Sequence, residues 1–374
     1  MKRTLLFFLL FVAIVFGIVV VEKWSHNSTE SKPEVKNLIY MIGDGMGLAH
    51  VSMLIIEDDY KNETFQSMSN VALATTYSAN NRVTDSAAAG TALATGFKTN
   101  NSMLGVDDSL VSHPSIIDLA EQSGMATGIV VTSEIYHATP GSFYAHVEKR
   151  YLSQQICSDL TRSGVDVLFG GGREEMSKAD STGVTHFDRL LEQGYVVASD
   201  WSDVDSLTQG NVIALFADGH MPSMSVGRGD FLPKSTKKAL EILKNNSSAN
   251  DKGFVLMVEG SQIDFESHGN NAEALLAEMR DFDLAVREAM KFVDENPGTL
   301  LVITADHETG GLSSPSGDPD FTLSERGIDY RFGSGSHTAT LVPVYLYGTG
   351  AEQINGVIDN TELAKRLMSV MGLN

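Results

Sequence analysis

The stretch with the clearest chemical potential is residues 83–91, which read Val-Thr-Asp-Ser-Ala-Ala-Ala-Gly-Thr. Ser86 supplies a hydroxyl, follows an acid, and opens a run of alanine and glycine that favours a close-packed helix. A serine at a helix start can accept hydrogen bonds from the free N–H groups of the first turn. A helix N-terminus without bulky side chains also binds phosphate readily. The stretch therefore predicts either a nucleophilic serine beside a phosphate or an N-cap serine on a buried helix.

Acidic and histidine side chains recur where apolar, strand-like stretches end. Asp44 lies between two glycines after the first of these stretches, and Glu259 ends a later one. Asp264 and His268 are four residues apart, so one helical face could direct both at a single cation. The other members of the set follow a further strand and a Gly/Ser loop: Asp306, His307 and His337. Mixed carboxylate and imidazole ligands favour a zinc-type cluster, and paired metals suit in-line phosphoryl displacement.

Another segment adds a candidate phosphate ligand. A strand-like stretch leads into Ser-Glu-Ile-Tyr-His-Ala-Thr-Pro, which contains His137 and Thr139, and Arg150 follows. The planar guanidinium of arginine suits phosphate, although most arginines lie on the surface. The middle of the chain carries less chemistry: Asp-Gly-His at 218–220 could bind a ligand, but a turn is favoured.

Apolar stretches and helical patterns alternate along the chain. Strands are predicted at 35–42, 71–77, 127–132, 165–169, 212–216, 254–258, 300–304 and 342–347. Helices are predicted at 48–57, 86–94, 115–122, 152–162, 234–244, 272–293 and 361–371. This alternation predicts an α/β fold with a large, mainly parallel central sheet and helices on both faces. Such sheets bind ligands beyond the carboxyl ends of their strands, where the polar residues described above lie.

The charge balance limits the partners. The chain has 27 Lys and Arg residues against 48 Asp and Glu, a net charge of −21. Such a surface repels nucleic acid, so no nucleic-acid binding is expected. An anionic substrate must then be held by local positive charge, which metal ions could supply. The single cysteine, Cys157, excludes an internal disulfide framework.

The N-terminus has the features of an export signal. Lys2 and Arg3 precede an unbroken apolar stretch at 5–21, close to the lower limit of the roughly 17–25 residues that span a bilayer. No small-x-small cleavage site follows, so a signal peptide (1–21) and a retained N-terminal membrane anchor are both open. Residues 22–34 predict a polar tether, and 35–374 predict one large domain. The protein is predicted to be exported, to the periplasm or the extracellular space.

Taken together, these motifs resemble the alkaline phosphatase family, bacterial branch, over about residues 37–348. Residues 83–91 are the most specific element and match the family's nucleophile signature at every position. The resemblance implies that Ser86 is the nucleophile, that Arg150 clamps the phosphate and that Asp85 orients this arginine. It also implies a homodimer in which residues 35–374 form the catalytic domain.

The resemblance further implies two Zn²⁺ and one Mg²⁺ per subunit. The ligands of the first zinc would be Asp264, His268 and His337. The ligands of the second zinc would be Asp44, Asp306 and His307. The ligands of the magnesium would be Asp44, Thr139 and Glu259. Asp44 would therefore bridge two metals.

Two positions depart from the family pattern. His137 stands where some members carry an aspartate that supports the magnesium through water, so the metal preference of the third site is open. Phe265 stands where several members carry Lys, His or Trp near the phosphate, and it removes a possible positive charge there.

The predicted function is metal-dependent hydrolysis of small phosphate monoesters through a phosphoserine intermediate, with an alkaline pH optimum. Specificity should be broad, because nothing obvious binds the alcohol. A phosphodiesterase or other hydrolase of the same superfamily is an alternative, but diesterases generally lack a clamp such as Arg150. A sulfatase would need a Cys/Ser-x-Pro-x-Arg segment, which Ser86 does not open. A non-catalytic exported phosphate- or metal-binding protein would have no need of Ser86.

Overall fold

A ten-stranded sheet runs through the residues that the computed structural model describes, 34–317 and 327–373. Its strands are β1 (Asn37–Gly43), β2 (Asn70–Thr75), β3 (Ala126–Glu134), β4 (Val167–Gly171), β5 (Val196–Ala198), β6 (Val212–Leu215), β7 (Phe254–Gly260), β8 (Thr299–Thr304), β13 (Val342–Gly348) and β14 (Gly356–Asp359). The short strands β9 (Glu308–Thr309), β10 (Leu312–Ser313), β11 (Arg331–Phe332) and β12 (His337–Thr338) form two small antiparallel pairs, β9 with β12 and β10 with β11.

The sheet has the order β14-β2-β13-β8-β1-β7-β3-β4-β6-β5 and is mainly parallel. Only β13 runs against its neighbours, β8 and β2. Every residue of β7 and β8 is buried. Because successive side chains of a strand point to opposite faces, both faces of the sheet are covered here. The predicted α/β fold with a mainly parallel sheet is confirmed.

The helices alternate with the strands. They are α1 (Leu48–Glu57), α2 (Glu63–Gln66), α3 (Ser86–Thr95), α4 (Ile116–Gln122), α5 (Ala138–Gly141), α6 (Ser153–Ser163), α7 (Arg173–Met176), α8 (His186–Glu192), α9 (Trp201–Val204), α10 (Phe231–Ser247), α11 (Gln262–His268), α12 (Ala272–Glu295) and α13 (Asn360–Val370). Helix α10 begins three residues earlier than predicted, because Pro233 lies in its first turn, where the missing N–H costs no helical hydrogen bond.

The two edge strands were not among the predicted strands. Strand β5 is only three residues long, and β14 is four residues long, begins with a glycine and exposes Val357. Neither therefore has the continuous apolar run that marks a central strand. The predicted strand at 165–169 is displaced to Val167–Gly171, where it pairs with β3 and β6.

The predicted leader at 5–21 and almost all of the predicted tether at 22–34 lie outside the described residues. Among the helices of the described part, none is long and apolar enough to cross a membrane. Val35–Asn374 forms one compact unit.

Four neighbouring parallel strands, β8, β1, β7 and β3, bring their carboxyl ends to one edge of the sheet. The register pairs Ile42 with both Thr304 and Glu259. Asp44 and Asp306 each follow two residues later on adjacent strands, so the backbone alone places them side by side. This edge carries the site described next.

Candidate active site

Helix α3 presents Ser86 at its first position, with Asp85 as the N-cap. Asp85 Oδ1 accepts a hydrogen bond from the Ala88 N–H (3.0 Å), and its Oδ2 accepts one from the Ser102 N–H (3.0 Å). The alternative interpretation of Ser86 as an N-cap serine is therefore wrong. Its hydroxyl is buried and lies 3.3 Å from His307 Nε2 instead.

The same aspartate reaches the candidate phosphate ligand. Asp85 Oδ2 lies 3.3 Å from a terminal guanidinium nitrogen of Arg150. The other terminal nitrogen lies 3.4 Å from His137 Nε2. Since arginine only donates hydrogen bonds, His137 Nε2 is the acceptor in this contact. Asp85 and His137 together fix the plane of the guanidinium close to Ser86.

A first group of ligand atoms surrounds His307. Its Nε2 lies 3.1 Å from Asp306 Oδ2 and 3.4 Å from Asp44 Oδ1, and all three side chains are fully buried. Burial and the neighbouring carboxylates, Asp306 first among them, raise the pKa of Asp44 well above its usual range. The structure therefore brings together the three residues predicted for the second zinc.

A second group lies beside the first. His268 Nε2 is 3.3 Å from Asp264 Oδ2 and 3.2 Å from His337 Nε2. The His337 ring stacks on that of His307 at 3.6 Å, which connects the two groups. The helical spacing of Asp264 and His268 on α11 puts both on one face, as expected. The three residues predicted for the first zinc thus also converge.

The histidine rings are fixed by the atoms on their far sides. His268 Nδ1 lies 2.9 Å from the carbonyl oxygen of Gly335, and His337 Nδ1 lies 2.8 Å from that of Thr84. A carbonyl can only accept, so both rings carry their proton on Nδ1. In the neutral ring Nε2 is then unprotonated and faces Asp264, at 3.3 Å for His268 and 3.7 Å for His337, which is the arrangement a metal ligand needs.

A third group lies between β1, β7 and α5. Ligand atoms of Asp44, His137 and Glu259 lie within 4.8 Å of one another. Both Asp44 oxygens, Glu259 Oε1 and Thr139 Oγ1 are buried without a hydrogen-bond partner among the described residues. Burial raises the pKa of Glu259 to about 8. The residues predicted for magnesium are therefore together, with His137 as an additional neighbour.

Comparison with known proteins decides the family. A model of the alkaline phosphatase family matches residues 35–327. The chain belongs to the alkaline phosphatase family. Alkaline phosphatase 3 of Bacillus subtilis is 31% identical over 92% of this chain and 90% of its own length. The structure of alkaline phosphatase from the Antarctic bacterium TAB5 is 35% identical, with a TM-score of 0.83, over 92% of this chain and 100% of that one.

A variant of that Antarctic enzyme, with a histidine replaced by aspartate, has Mg bound in its M3 site. It is 34% identical and matches with a TM-score of 0.82 over 92% of this chain and 100% of that one. As a member of the alkaline phosphatase family, the chain is a hydrolase of phosphate monoesters.

Enzymes of the alkaline phosphatase family use zinc and magnesium, and the residues present fit these ions. Buried carboxylates crowd together here, and several of their oxygens form no hydrogen bond within the described part of the chain. Uncompensated buried charge of this kind is costly unless cations neutralise it. The imidazole-rich groups suit zinc, whereas the pocket of Asp44, Glu259 and Thr139 has the oxygen ligands that magnesium prefers.

Two residues near the site were not among the predicted site residues. Thr309 Oγ1 donates to Asp264 Oδ1 (2.5 Å) and lies 3.1 Å from His307 Nδ1, so it joins the two histidine-containing groups. Its position two residues after His307 in an extended segment was the available signal, since alternate residues share a face. His220, for which a turn was favoured over a binding role, lies against His137 and Phe265. Its sequence context carried no signal.

Proposed function

We propose that the chain hydrolyses phosphate monoesters through a phosphoserine formed on Ser86. The observation that carries this proposal is the placement of the Ser86 hydroxyl. It lies at a helix N-terminus that Asp85 already caps, 3.3 Å from His307 Nε2. The hydroxyl is thus available to a phosphate that the helix N-terminus itself attracts.

The reaction balances in two steps. Ser86 Oγ attacks phosphorus, the bond from phosphorus to the ester oxygen breaks, and the alcohol leaves with the serine proton. Water then attacks the phosphoserine, which releases inorganic phosphate and restores the hydroxyl. Bound metal would lower the pKa of the serine hydroxyl and stabilise negative charge on the reacting oxygens. This lowering, and the need for deprotonated ligands, would give an alkaline pH optimum.

Arg150 is assigned to hold the phosphate. Its guanidinium can bind two phosphate oxygens at once, which fixes the orientation of the phosphoryl group. Asp85 orients it from one side and His137 from the other, through the contacts at 3.3 Å and 3.4 Å. Geometric pre-organisation of this kind lowers the entropic cost of reaching the reactive arrangement.

Each of the three groups of converging side chains is assigned to one metal ion. One zinc would be held by Asp264, His268 and His337. A second would be held by Asp44, Asp306 and His307. A magnesium would be held by Asp44, Thr139 and Glu259. Asp44 would then serve two ions, which accounts for both of its oxygens lying buried without a hydrogen bond among the described residues.

His137 influences which metal ion the third site prefers. Its ring lies within ligand distance of Asp44 and Glu259, and burial lowers the pKa of this imidazole to about 3. A neutral imidazole is a better ligand for zinc than for magnesium. In the TAB5 enzyme, replacement of a histidine by aspartate accompanies Mg in the M3 site. We assign the same influence to His137, so that His137→Asp would favour magnesium here.

The proposal extends to export, domain organisation, oligomeric state and substrate specificity. The chain would be exported by the apolar stretch at 5–21, either as a cleaved signal peptide or as an anchor, followed by a tether at 22–34 and a catalytic domain at 35–374. It would act as a homodimer, as the family does. Substrate specificity would be broad, because the assigned residues bind phosphate and not the alcohol.

A parallel assay tests the reaction class. A chromogenic phosphomonoester, phosphodiester and sulfate ester are offered at one concentration, with and without chelator. We expect hydrolysis of the monoester at least about a hundredfold faster than of the others, the effect of ~2.7 kcal/mol in the barrier, and its loss on chelation. Preference for the diester, or monoester hydrolysis that survives complete metal removal, would refute the proposal.

A further inference from the structure

Three aromatic rings meet beside the candidate phosphate ligand. The His220 ring lies 5.5 Å from that of His137 and 5.0 Å from that of Phe265, and the latter two are 5.8 Å apart. All three pairs are edge-to-face, at interplanar angles of 83°, 67° and 82°. We call these residues the three-ring cluster.

His220 is exposed, yet a hydrogen bond from the backbone fixes the orientation of its ring. The backbone N–H of Glu134, at the end of β3, donates to His220 Nδ1 at 3.1 Å. This contact leaves the proton of the neutral ring on Nε2. It also fixes the rotation of the imidazole, so that the ring edge and face presented to His137 and Phe265 are set by the backbone of β3.

The backbone around His220 is held just as firmly. The Gly219 carbonyl accepts from the Gly172 N–H (2.8 Å), and the Met221 N–H donates to the Thr132 carbonyl (3.2 Å). The amide of Gln262, in α11, donates to the Met221 carbonyl at 2.6 Å. The residue is therefore part of a loop fastened to the same edge of the sheet that carries the metal ligands.

A buried ion network fastens the far end of this loop to α12. The guanidinium of Arg228 lies 2.7 Å from Asp281 and also pairs with Glu278, and all three side chains are at most 3% exposed. Arg228 also donates to the Pro222 carbonyl (3.1 Å), and Glu278 accepts from the Met224 N–H (2.7 Å). These contacts hold residues 222–228 against α12.

The contacts run from this loop to the phosphate ligand. His220 packs on His137, and His137 Nε2 accepts from Arg150 at 3.4 Å. We propose that His220 is a positioning residue for phosphate: its clamped ring restrains the His137 ring, and His137 in turn restrains the Arg150 guanidinium. The inference deepens the proposed function, because it rests on the assignment of Arg150 to phosphate binding.

This role differs from that of Phe265. Phe265 follows a metal ligand on α11 and supplies an apolar wall to His137, but it has no polar atom to anchor its own orientation. His220 has that anchor in the Glu134 N–H. The three-ring cluster therefore restrains Arg150 relative to β3 and to the loop formed by residues 217–228.

The test compares two His220 variants with a matched control. His220→Ala removes the ring, and His220→Phe keeps a ring of similar shape. His113→Ala removes a histidine that stacks on Phe97 at 3.7 Å, outside the cluster. The readouts are the inhibition constant of inorganic phosphate, kcat and KM separately, bound zinc and magnesium, and Tm.

For His220→Ala we expect the phosphate inhibition constant and KM to rise about fivefold, the effect of ~1 kcal/mol, with kcat changed less than either. Metal content and Tm should match the unmodified enzyme, since the side chain is exposed. His220→Phe keeps a ring but loses the hydrogen bond from the Glu134 N–H, so its phosphate inhibition constant should also rise about fivefold. His113→Ala should leave phosphate inhibition unchanged. Unchanged inhibition in His220→Ala, or loss of metal from it, would overturn the inference.

A double-mutant cycle separates this inference from the function it rests on. With Arg150→Ala, phosphate inhibition should weaken, and adding His220→Ala should have no further effect, because the restrained group is gone. If Arg150→Ala itself leaves phosphate inhibition unchanged, the assignment of Arg150 fails. If Arg150→Ala weakens inhibition but His220→Ala adds its full effect to it, only the role of His220 fails.

Discussion

A single hydroxyl joins the two histidine-containing ligand groups. Thr309 Oγ1 contacts Asp264 Oδ1 at 2.5 Å and His307 Nδ1 at 3.1 Å. Its proton goes to the carboxylate, so the hydroxyl oxygen can accept from His307 Nδ1, which frees His307 Nε2 as a ligand. Groups that orient ligands in this way typically contribute a factor of roughly 10–100 in metal affinity.

Thr309→Val is therefore expected to weaken zinc binding by roughly 10–100-fold, because the isosteric side chain keeps the volume and loses both contacts. Competition against a chromophoric chelator measures the change. Thr161→Val is the control, since that buried hydroxyl bonds only within α6, to the Ser158 carbonyl at 2.8 Å. Equal zinc affinity in Thr309→Val and the unmodified enzyme would remove Thr309 from the site.

Phe265 gives a second prediction at this scale. Its ring lies 5.8 Å from that of His137, and it offers no charge to a phosphate on Arg150. Phe265→Lys should add attraction, so we expect tighter inhibition by inorganic phosphate and slower turnover at saturating substrate, since product release often limits such enzymes. Steady-state kinetics with added phosphate measures both. Unchanged inhibition with only a lower Tm would leave Phe265 as a packing residue.

At the scale of elements, α3 depends on a close approach to α5. A Cβ at Gly90 would lie 2.8 Å from Ser142 Oγ and 3.1 Å from Ser142 Cβ. An alanine would normally stabilise a helix by about 1 kcal/mol relative to glycine. Here the close contact with Ser142 should make the substitution destabilising. We expect Gly90→Ala to lower the free energy of unfolding by roughly 1–3 kcal/mol.

Chemical denaturation of the Gly90→Ala enzyme measures that change. Ser142→Gly removes the atoms that the new Cβ would meet, so the double variant should recover part of the loss. Stabilisation by Gly90→Ala alone would show that α3 and α5 can separate without cost. Activity should fall with stability, because α5 carries Thr139 and α3 carries Ser86.

Elements also show what the sequence can and cannot predict. Continuous apolar strands such as β1 and β8 are visible in the sequence, and so are the acids that follow them. Parallel register then places Asp44 beside Asp306 without further information. The capping of α3 by Asp85 was less predictable, because Asp and Ser both cap helices and only the contacts of Asp85 decide between them.

Contacts between segments that are far apart in the sequence could not be predicted from it. His220 lies against rings at positions 137 and 265, and its anchor is the backbone at 134. No local pattern encodes such a meeting, since it follows from how loops pack over the sheet edge. Edge strands were missed for a different reason: with one side exposed, β14 needs little apolar sequence.

At the scale of the whole molecule, the proposed metal ligands come from distant parts of the chain. They come from the ends of β1, β7 and β8, from α5 and α11, and from β12. Ions that bind only the folded chain stabilise it by mass action, by about 2.7 kcal/mol per site at a hundred times Kd. The folded state and the active site should therefore be lost together when metals are removed.

Chelation is expected to lower both activity and Tm, and zinc should restore both. Differential scanning calorimetry with metal analysis measures this linkage, with magnesium alone as the control addition. His337→Ala should remove one zinc and spare the other, because His337 is assigned to only one ion. If the apoprotein has the same Tm as the metal-loaded enzyme, metal binding does not stabilise the folded chain.

Acid trapping detects the phosphoserine that we propose on Ser86. The enzyme is mixed with a labelled phosphomonoester, quenched at acid pH, digested and analysed by mass spectrometry, with Ser86→Ala carried through in parallel at equal metal content. We predict label on the peptide containing residues 83–91, at Ser86, and no trapped label in Ser86→Ala. Label on another residue, or equal trapping in Ser86→Ala, would rule out Ser86 as the nucleophile.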